Sequence, residues 1–266
     1  MNHLLRERAP VTEAAWEQID EEACRRLRTY LAARRLIDFR GPSGWGHSAH
    51  DLGRTVPLDP GPGDGVTACL RRVQPLVELR APFRLERSSL DDAERGDAAV
   101  ELEPLAAAAR QIALAENTAV FHGYPAGGIV GMADGASSLP AVSGEWANYR
   151  QAVASAVARL QGAGIGGPYG LALGDEAWLG VSETVEAGYP LLEHLSRTVG
   201  EGPVVWAPGL EGAVVASQRG GDFLLDVGQD LAIGYLSHDD LTVTLYLEES
   251  FTFRVLEPAA VITIGV

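Results

Sequence analysis

Residues 41–65 read GPSGWGHSAHDLGRTVPLDPGPGDG, a stretch that is dense in glycine and proline and shows no helical period. Stretches of this length without a regular pattern are usually functional arms or lids. Trp45, Val56 and Leu58 give the stretch something to pack, and a second edge is expected through residues 68–79. The sequence therefore predicts a projecting arm that contains short strands.

An amphipathic helix is predicted before the arm. Within residues 11–39, large or apolar side chains recur at intervals of three or four: Trp16, Ile19, Ala23, Leu27 and Tyr30. Thr12 can cap the helix, because its side-chain oxygen can accept a free backbone N–H of the first turn. Cys24 falls on the apolar side, and we expect it to be a small core residue.

Further helices and then strands are predicted after the arm. Pro104 suits the first turn of a second helix, and Trp146 to Leu160 keep the spacing of a third. From Pro203 onward the period becomes that of strands, as in LTVTLYLEESFTFRV at residues 241–255. The pattern is that of an α+β chain with an antiparallel C-terminal half.

Composition narrows the function classes. The 266 residues are 46% hydrophobic and 21% charged, as in ordinary globular proteins, and the formal net charge is -15. That charge argues against a nucleic-acid partner, which needs clustered lysine and arginine. The two cysteines form no C-x-x-C pair, and no apolar run suggests a signal peptide or a membrane span. We therefore expect a cytoplasmic protein without membrane partners.

No catalytic or metal-binding motif is predicted. G-x-S-x-G, H-E-x-x-H and Walker sequences do not occur. Asp222, Asp226 and Asp230 lie four apart in a strand-like stretch, which separates neighbours by roughly 13 Å, so one cation cannot bridge them. We expect these aspartates to cap or pair locally. His47 and His50 form H-x-x-H but lack a third ligand, so we expect polar surface residues instead of a metal site.

Seven strings, taken in order, resemble the encapsulin shell proteins, earlier described as linocin-type bacteriocins: LAARRLIDFRGPSGWGHSAHDLG, PLVELRAPFRL, AERG, FHG, GGPYGLAL, RGGDFLLDVGQDLAIGY and ESFTFRV. The resemblance runs from about Leu4 to Ile264. It implies the Hong Kong 97-type phage major capsid protein fold. It also implies that many copies assemble into an icosahedral nanocompartment in the bacterial cytoplasm, which encloses a cargo enzyme while the shell itself is no enzyme.

The same resemblance implies a division of the chain. Residues 1–44 would hold the N-terminal helix of the P-domain, 45–79 the extended E-loop, and 80–130 the P-domain with its spine helix. Residues 131–221 would form the A-domain, and 222–266 the strands that return to the P-domain. The compact length suits the smallest shell, of about 60 subunits (T=1). The arm would pair with a neighbouring subunit, because it has strand character and no core of its own.

Two functional sites follow from the resemblance. A short C-terminal peptide of the cargo would dock against the N-terminal helix and a P-domain strand, at Leu27, Leu31, Arg34, Asp38, Phe39, Asp230, Leu231, Ile233, Gly234 and Tyr235. The alternative is that Leu27, Leu31 and Ile233 are only P-domain core. The five-fold pore would be lined within residues 182–190, by Glu183, Thr184, Glu186, Gly188 and Tyr189. Its acidic rings would favour cations such as ferrous iron, and the alternative is a solvated loop.

Partners and competing functions complete the expectations. The cargo would be a dye-decolorising peroxidase or a ferritin-like protein, which would link the shell to oxidative stress or iron storage. No cofactor is expected; in particular, residues 85–96 (LERSSLDDAERG) lack the aromatic on which flavin stacks in some relatives. The competing functions are a phage-type capsid protein that packages nucleic acid and, third, a bacteriocin- or hydrolase-type enzyme.

Overall fold

The computed structural model describes residues 3–142, 146–186 and 188–265, which combine α-helices with two five-stranded sheets. The α-helices in these ranges are α1 (Glu13–Tyr30), α2 (Arg87–Glu94), α3 (Glu103–Phe121), α4 (Asn148–Gly162), α5 (Asp175–Glu183) and α6 (Leu191–Val199). Short 3-10 turns occur at Arg6–Arg8, Ala33–Arg35, Pro125–Gly127 and Pro258–Ala260.

The strands alternate with the helices in the first two thirds of the chain and then dominate. They are β1 (Asp38–Arg40), β2 (Ala49–Gly63), β3 (Val66–Pro75), β4 (Val77–Glu86), β5 (Ser137–Leu139), β6 (Tyr169–Leu173), β7 (Val185–Glu186), β8 (Tyr189–Pro190), β9 (Val204–Trp206), β10 (Ala213–Ser217), β11 (Phe223–Val227), β12 (Ala232–His238), β13 (Thr242–Val255) and β14 (Val261–Ile264). The predicted α+β composition is confirmed.

The first sheet is organised around the long strand β13. β4 runs antiparallel along one side of β13, from the pair Thr242–Glu86 to the pair Phe251–Val77. β12 and β11 lie end to end along the other side, and β1 adds to β11 in parallel. Because β12 pairs only with β13 among the named strands of the described residues, its outer edge is open.

The second sheet has the order β5-β14-β10-β6-β9. β6 and β10 are buried along their whole length, as expected for strands that are covered on both faces. The helices α4 and α6 pack against each other, and both contact this sheet. The hairpin of β7 and β8 projects next to α6.

Helix α1 forms where its apolar period predicts it. The Thr12 hydroxyl oxygen accepts the N–H of Ala15 at 3.3 Å, so the predicted N-cap is confirmed. Ile19, Ala23 and Leu27 are buried in a core that α1 shares with α3 and the first sheet. Ile19 has no exposed surface, and burial of a side chain of this size stabilises by about 2 kcal/mol.

Cys24 does not belong to that core, and the expectation of a small core residue was wrong. It is exposed, although its neighbour Ala23 is buried. Successive residues of a helix point about 100° apart, so a position directly next to the buried stripe can face the solvent.

Strands β2 and β3 form a two-stranded antiparallel hairpin, residues 49–75, which we call the arm. Its side chains between Gly53 and Val66 are almost all exposed, and neither hydrophobic core includes an arm residue. The predicted arm with strand character forms, but the expectation of short strands was wrong, since β2 has 15 residues and β3 has 10. Isolated two-stranded hairpins are marginally stable in water, so this arm needs a partner surface.

Candidate functional site

Arg34 is the centre of a cluster of buried charges. It lies in the 3-10 turn after α1, and its guanidinium contacts Glu116 of α3 (Nε–Oε2, 2.7 Å), Glu249 of β13 (Nη2–Oε2, 2.9 Å) and Asp230 (Nη1–Oδ1, 2.7 Å). The side chains of Glu116 and Glu249 are fully buried, that of Arg34 is 15% exposed and that of Asp230 is 39% exposed. The cluster therefore joins the N-terminal region, α3 and the first sheet.

The charges in this cluster shift one another's titration. Burial alone would lower the pKa of Arg34, but the attraction of Glu116, followed by that of Glu249, outweighs it and raises the pKa. Burial raises the pKa of Glu249 well above its ordinary value, and the neighbouring Glu116 raises it further. Oε1 of Glu249 has no hydrogen-bond partner among the described residues. Glu249 therefore holds a proton more readily than an exposed glutamate does.

The structure brings together the residues predicted to bind a cargo peptide. Leu27 and Ile233 belong to one core and are only 8% and 3% exposed, so their own chain covers them. Leu31, Leu231 and Tyr235 are half-buried and pack against that same core. The surface available to a partner is thus offered by these three half-buried side chains.

Asp38 and Phe39 of β1 extend this surface. The Phe39 ring is 40% exposed, and the Arg34 guanidinium carbon lies 5.3 Å from its centre, a cation–π contact. Oδ2 of Asp38 accepts the backbone N–H of Gly221 at 2.5 Å. The Asp38 carboxylate is therefore already hydrogen-bonded within its own chain, although the residue is exposed.

Gly234 is required by the packing of β12 against β13. A Cβ at this position would lie 2.2 Å from Cζ of the Tyr246 ring. The ring of Tyr246 also lies below the Arg80 guanidinium, 4.8 Å from its centre, and burial raises the pKa of its hydroxyl. The lack of a side chain at Gly234 therefore leaves room for the Tyr246 ring to pack at this point of the sheet.

The N-terminal segment covers part of the open edge of β12. The backbone N–H of Tyr235 donates to the carbonyl of Leu4 at 2.8 Å. On either side of Leu4, His3 hydrogen-bonds Glu248 at 2.6 Å and Arg6 pairs with Asp20 at 2.7 Å. No sequence pattern indicated this segment, because it forms neither a strand nor an α-helix.

The three aspartates of residues 219–230 have separate structural roles. Asp222 pairs with Arg219 three residues away, as expected of a local pair. Asp230 instead pairs with the distant Arg34, and the fully buried Asp226 hydrogen-bonds Nδ1 of His50. The described residues contain no group of three or more His, Cys, Asp or Glu side chains that could hold a metal.

His50 is not the surface residue that we expected. It is 6% exposed, and its Nε2 accepts from the Arg254 guanidinium at 2.8 Å. His47 lies nearby, with Nε2 3.5 Å from Asp226 Oδ1. The expectation failed because the partners, on β11 and β13, are about 180 to 200 residues away in the chain. These contacts fix the base of the arm to the first sheet.

The residues predicted for the pore lie around the β7–β8 hairpin, apart from Ala187, which is outside the described residues. Glu183 ends α5 and is exposed. Glu186 is different, because Nη1 of Arg150 donates to its Oε1 at 3.1 Å and its Oε2 is buried without a partner among the described residues. The Thr184 hydroxyl donates a hydrogen bond to the carbonyl of Gly180 at 2.6 Å.

The other pore candidates shape the hairpin tip. Gly188 has a φ of +85°, which favours glycine in this tight turn. Tyr189 is 55% exposed, and its ring meets the edge of His194 with 6.1 Å between centres. Of the described residues predicted to line the pore, Glu183 and Tyr189 are therefore the ones whose side chains belong to exposed residues and can meet a partner or a passing ion.

Solved structures of capsid-type particles share this fold. A virus-like particle protein from Pyrococcus furiosus matches with a TM-score of 0.65 at 16% identity, covering 94% of this chain and 98% of that chain. The capsid of an empty GTA particle matches with a TM-score of 0.53 at 13% identity, covering 89% and 96%. The fold is that of the Hong Kong 97-type capsid proteins, and the predicted fold class is confirmed.

Relatives of higher identity define the family. A family described as "Encapsulating protein for peroxidase" matches residues 1–252. The type 1 encapsulin shell protein of Rhodococcus erythropolis is 44% identical over 266 residues and covers 100% of both chains; that of Rhodospirillum rubrum is 46% identical over 272 residues, covering 98% of this chain and 96% of the relative. The chain belongs to the type 1 encapsulin shell proteins. It is a self-assembling structural subunit and not an enzyme, as the resemblance implied.

None of the described helices is both long enough and apolar enough to cross a membrane.

Proposed function

We propose that the shell encloses a cargo protein and holds it by a short peptide at the cargo's C-terminus. The peptide would bind in a cargo groove, whose first wall runs from Leu27 to Phe39 and whose second wall comprises residues 230–235. The observation that carries this proposal is the contact of Arg34 in the first wall with Asp230 in the second, at 2.7 Å. This ion pair holds the two walls at one distance.

The groove combines the features that are typical of a peptide-binding site. Its floor is apolar, since Leu27 and Ile233 belong to the core. Above the floor, Leu31, Leu231 and Tyr235 retain half-exposed surface that can bury small apolar side chains of a peptide. The charged groups at its rim, on Arg34 and Asp230, can fix the direction of the peptide backbone.

The open edge of β12 supports binding of an extended chain. An unpaired strand edge offers backbone N–H and C=O groups to a peptide that adds as a further strand. The N–H of Tyr235 is already bonded to Leu4, so an added peptide would meet the N-terminal segment there. We therefore place the peptide toward residues 230–234, on the Arg34 side.

The description of the family supports one class of cargo. Its description names a peroxidase as the encapsulated protein, which supports a dye-decolorising peroxidase as cargo, with a ferritin-like protein as the other candidate. The closed shell would contain about 60 copies of the chain (T=1) in the bacterial cytoplasm. We propose that Glu183 makes the pore acidic, because Arg150 already neutralises Glu186.

A loading experiment tests the cargo groove. The shell is co-produced with a dye-decolorising peroxidase, with and without the C-terminal segment of that peroxidase, and haem per purified shell is measured. The Leu31→Asp, Leu231→Asp double variant should form shells of normal size with about tenfold less haem. Leu236→Asp is the matched control, since Leu236 lies on the same strand, is 55% exposed and is outside the groove. Equal loading of the double variant, or of the truncated peroxidase, would contradict the proposal.

The competing function, packaging of nucleic acid, finds little support in the charge of the chain. The net charge of -15 repels phosphate, and the identity to encapsulin shells far exceeds that to the capsid structures. The ratio of absorbance at 260 and 280 nm of purified shells should be that of protein alone.

A further inference from the structure

We infer that Asn117, a fully buried residue of α3, is a positioning residue of the cargo groove, because it holds the backbone turn that carries Arg34. The inference rests on the proposed cargo groove and adds to it a residue that does not touch the peptide. It assigns to a polar side chain of the interior the task of fixing the shape of the first wall.

The side chain of Asn117 uses its whole hydrogen-bonding capacity. Its Oδ1 accepts the backbone N–H groups of Ala32 and Ala33, each at 3.1 Å. Its Nδ2 donates to the backbone carbonyls of Tyr30 at 2.8 Å and of Pro208 at 3.0 Å. A side-chain amide has two donor hydrogens and two oxygen lone pairs, so none of the four is left unused. Because all four partners are backbone groups, they also determine which end of the amide faces the turn.

These contacts lie where α1 ends and the next turn begins. The last carbonyls of a helix and the first N–H groups of a new helical turn have no partner within their own element. Tyr30 is the last residue of α1, and Ala33 begins the 3-10 turn that contains Arg34. The side chain of Asn117 supplies partners to both groups, so a residue of α3 sets the direction that the chain takes after α1.

Two neighbouring residues of α3 hold the first wall in different ways. Glu116 binds the guanidinium of Arg34 (Nε–Oε2, 2.7 Å), while Asn117 binds the backbone one and two residues before Arg34. Leu31, which offers half-buried surface to the peptide, directly precedes the same two backbone groups. The backbone contact and the side-chain contact therefore fix Leu31 and Arg34 relative to each other before a peptide arrives.

The fourth hydrogen bond joins the first wall to the region of the second sheet. Pro208 follows β9, and the next residue, Gly209, has a φ of +87°. A Cβ at Gly209 would lie 3.2 Å from Oγ1 of Thr118, so this loop passes close to α3 directly beside Asn117. The turn that carries Arg34 is thus held both by α3 and, through Asn117, by the loop after β9.

Two substitutions of similar size separate positioning from a general contribution to stability. Asn117→Leu removes all four hydrogen bonds. Asn117→Asp keeps an oxygen for the N–H groups of Ala32 and Ala33, but it loses the amide donors and adds a carboxyl beside the buried Glu116, so it also destabilises the fold. If Asn117 acts by positioning the turn, cargo loading should follow the retained oxygen. If its role is only structural, loading should follow the stability of each variant.

Co-production with a dye-decolorising peroxidase tests the inference, with haem per purified shell and the unfolding midpoint measured for each variant. Asn117→Leu should form shells of normal size with about tenfold less haem. Asn117→Asp should retain about half of the wild-type haem or more, because the turn keeps its acceptor. Val153→Ala shortens a fully buried side chain of α4, which packs on the second sheet, and is the control for lost stability. Normal loading of Asn117→Leu, or an equal loss of haem in Val153→Ala shells, would overturn the inference.

Hydrogen exchange in wild-type shells decides the matter if Asn117→Leu does not assemble. A turn that Asn117 holds in advance protects the amides of Ala32 and Ala33 equally in empty and in loaded shells. Protection that arises only when cargo is present would show that Asn117 does not shape the wall, and the inference would be wrong.

The Leu31→Asp, Leu231→Asp variant separates this inference from the cargo groove itself. If that variant loses haem while Asn117→Leu loads normally, the groove stands and only the role of Asn117 is refuted. If the double variant loads normally, the groove and the role of Asn117 are both refuted.

Discussion

Arg34 Nη1 lies 2.7 Å from Asp230 Oδ1, and the same guanidinium contacts the fully buried carboxylates of Glu116 and Glu249. One side chain therefore aligns the two walls of the proposed cargo groove and compensates charge inside the protein. A substitution at Arg34 consequently changes stability as well as peptide binding, and the two effects have to be separated.

Arg34→Ala should lower the free energy of unfolding by about 3–5 kcal/mol, because it leaves Glu116 and Glu249 buried without a counter-charge. Asp230→Asn should cost about 1 kcal/mol or less, since the Asp230 side chain is 39% exposed. Denaturant unfolding of the two variants measures the difference. Equal losses in the free energy of unfolding would show that the burial of Glu116 and Glu249 does not make the removal of Arg34 more costly.

Stability should also depend on pH through Glu249. Its pKa is raised in the folded protein above the ordinary 4.5. For an acid with a raised folded pKa, stability is greatest below the unfolded pKa and declines as pH rises toward and through the folded pKa. Glu249→Gln should therefore flatten the fall of the unfolding midpoint above about pH 4.5. Glu78→Gln, at an exposed residue paired with Arg80, is the control, and an identical slope in both variants would refute the assignment.

Gly234→Ala should destabilise the first sheet by about 1–3 kcal/mol, because the added methyl would collide with the Tyr246 ring. The same change made in a Tyr246→Leu background should cost less, since the ring is gone. Thermal unfolding of the four combinations gives the coupling between the two positions. Independent, additive losses would mean that the ring does not impose the glycine.

The pore proposal assigns different roles to two glutamates, Glu183 and Glu186, which the sequence alone does not distinguish. Glu183→Gln should slow the entry of ferrous iron into shells several-fold, because an exposed acidic ring concentrates cations. Glu186→Gln should change the rate little, since Arg150 already neutralises that carboxylate. Stopped-flow measurement with an iron chelator inside the shell gives both rates. A larger effect of Glu186→Gln would reverse the assignment.

Local patterns predicted the main elements of the fold. The periods that place α1, α3 and β13 arise from the burial of one side of each element, so they are visible in the sequence. The capping role of Thr12 depends only on its immediate neighbours, and it was predictable for the same reason. The arm was recognisable because glycine and proline exclude a helix.

The buried polar contacts were not predictable from local pattern. Glu116 occupies an apolar position of α3, and Glu249 lies inside a buried strand; such placement is the only signal that a charged partner must be near. That the partner is Arg34 depends on tertiary packing, because Glu116 is 82 positions and Glu249 is 215 positions away from Arg34 in the chain. The burial of His50 was missed for the same reason.

The central claim is that the chain assembles with copies of itself and that the arm makes the contact on which assembly depends. Mass photometry of the purified chain and of a variant without residues 49–75 tests this claim most directly. The account predicts one particle of roughly 1.7 MDa for the full 28.2 kDa chain, and only monomers or small oligomers for the variant. A lone 28.2 kDa species from the full chain, or complete shells from the armless variant, would contradict it.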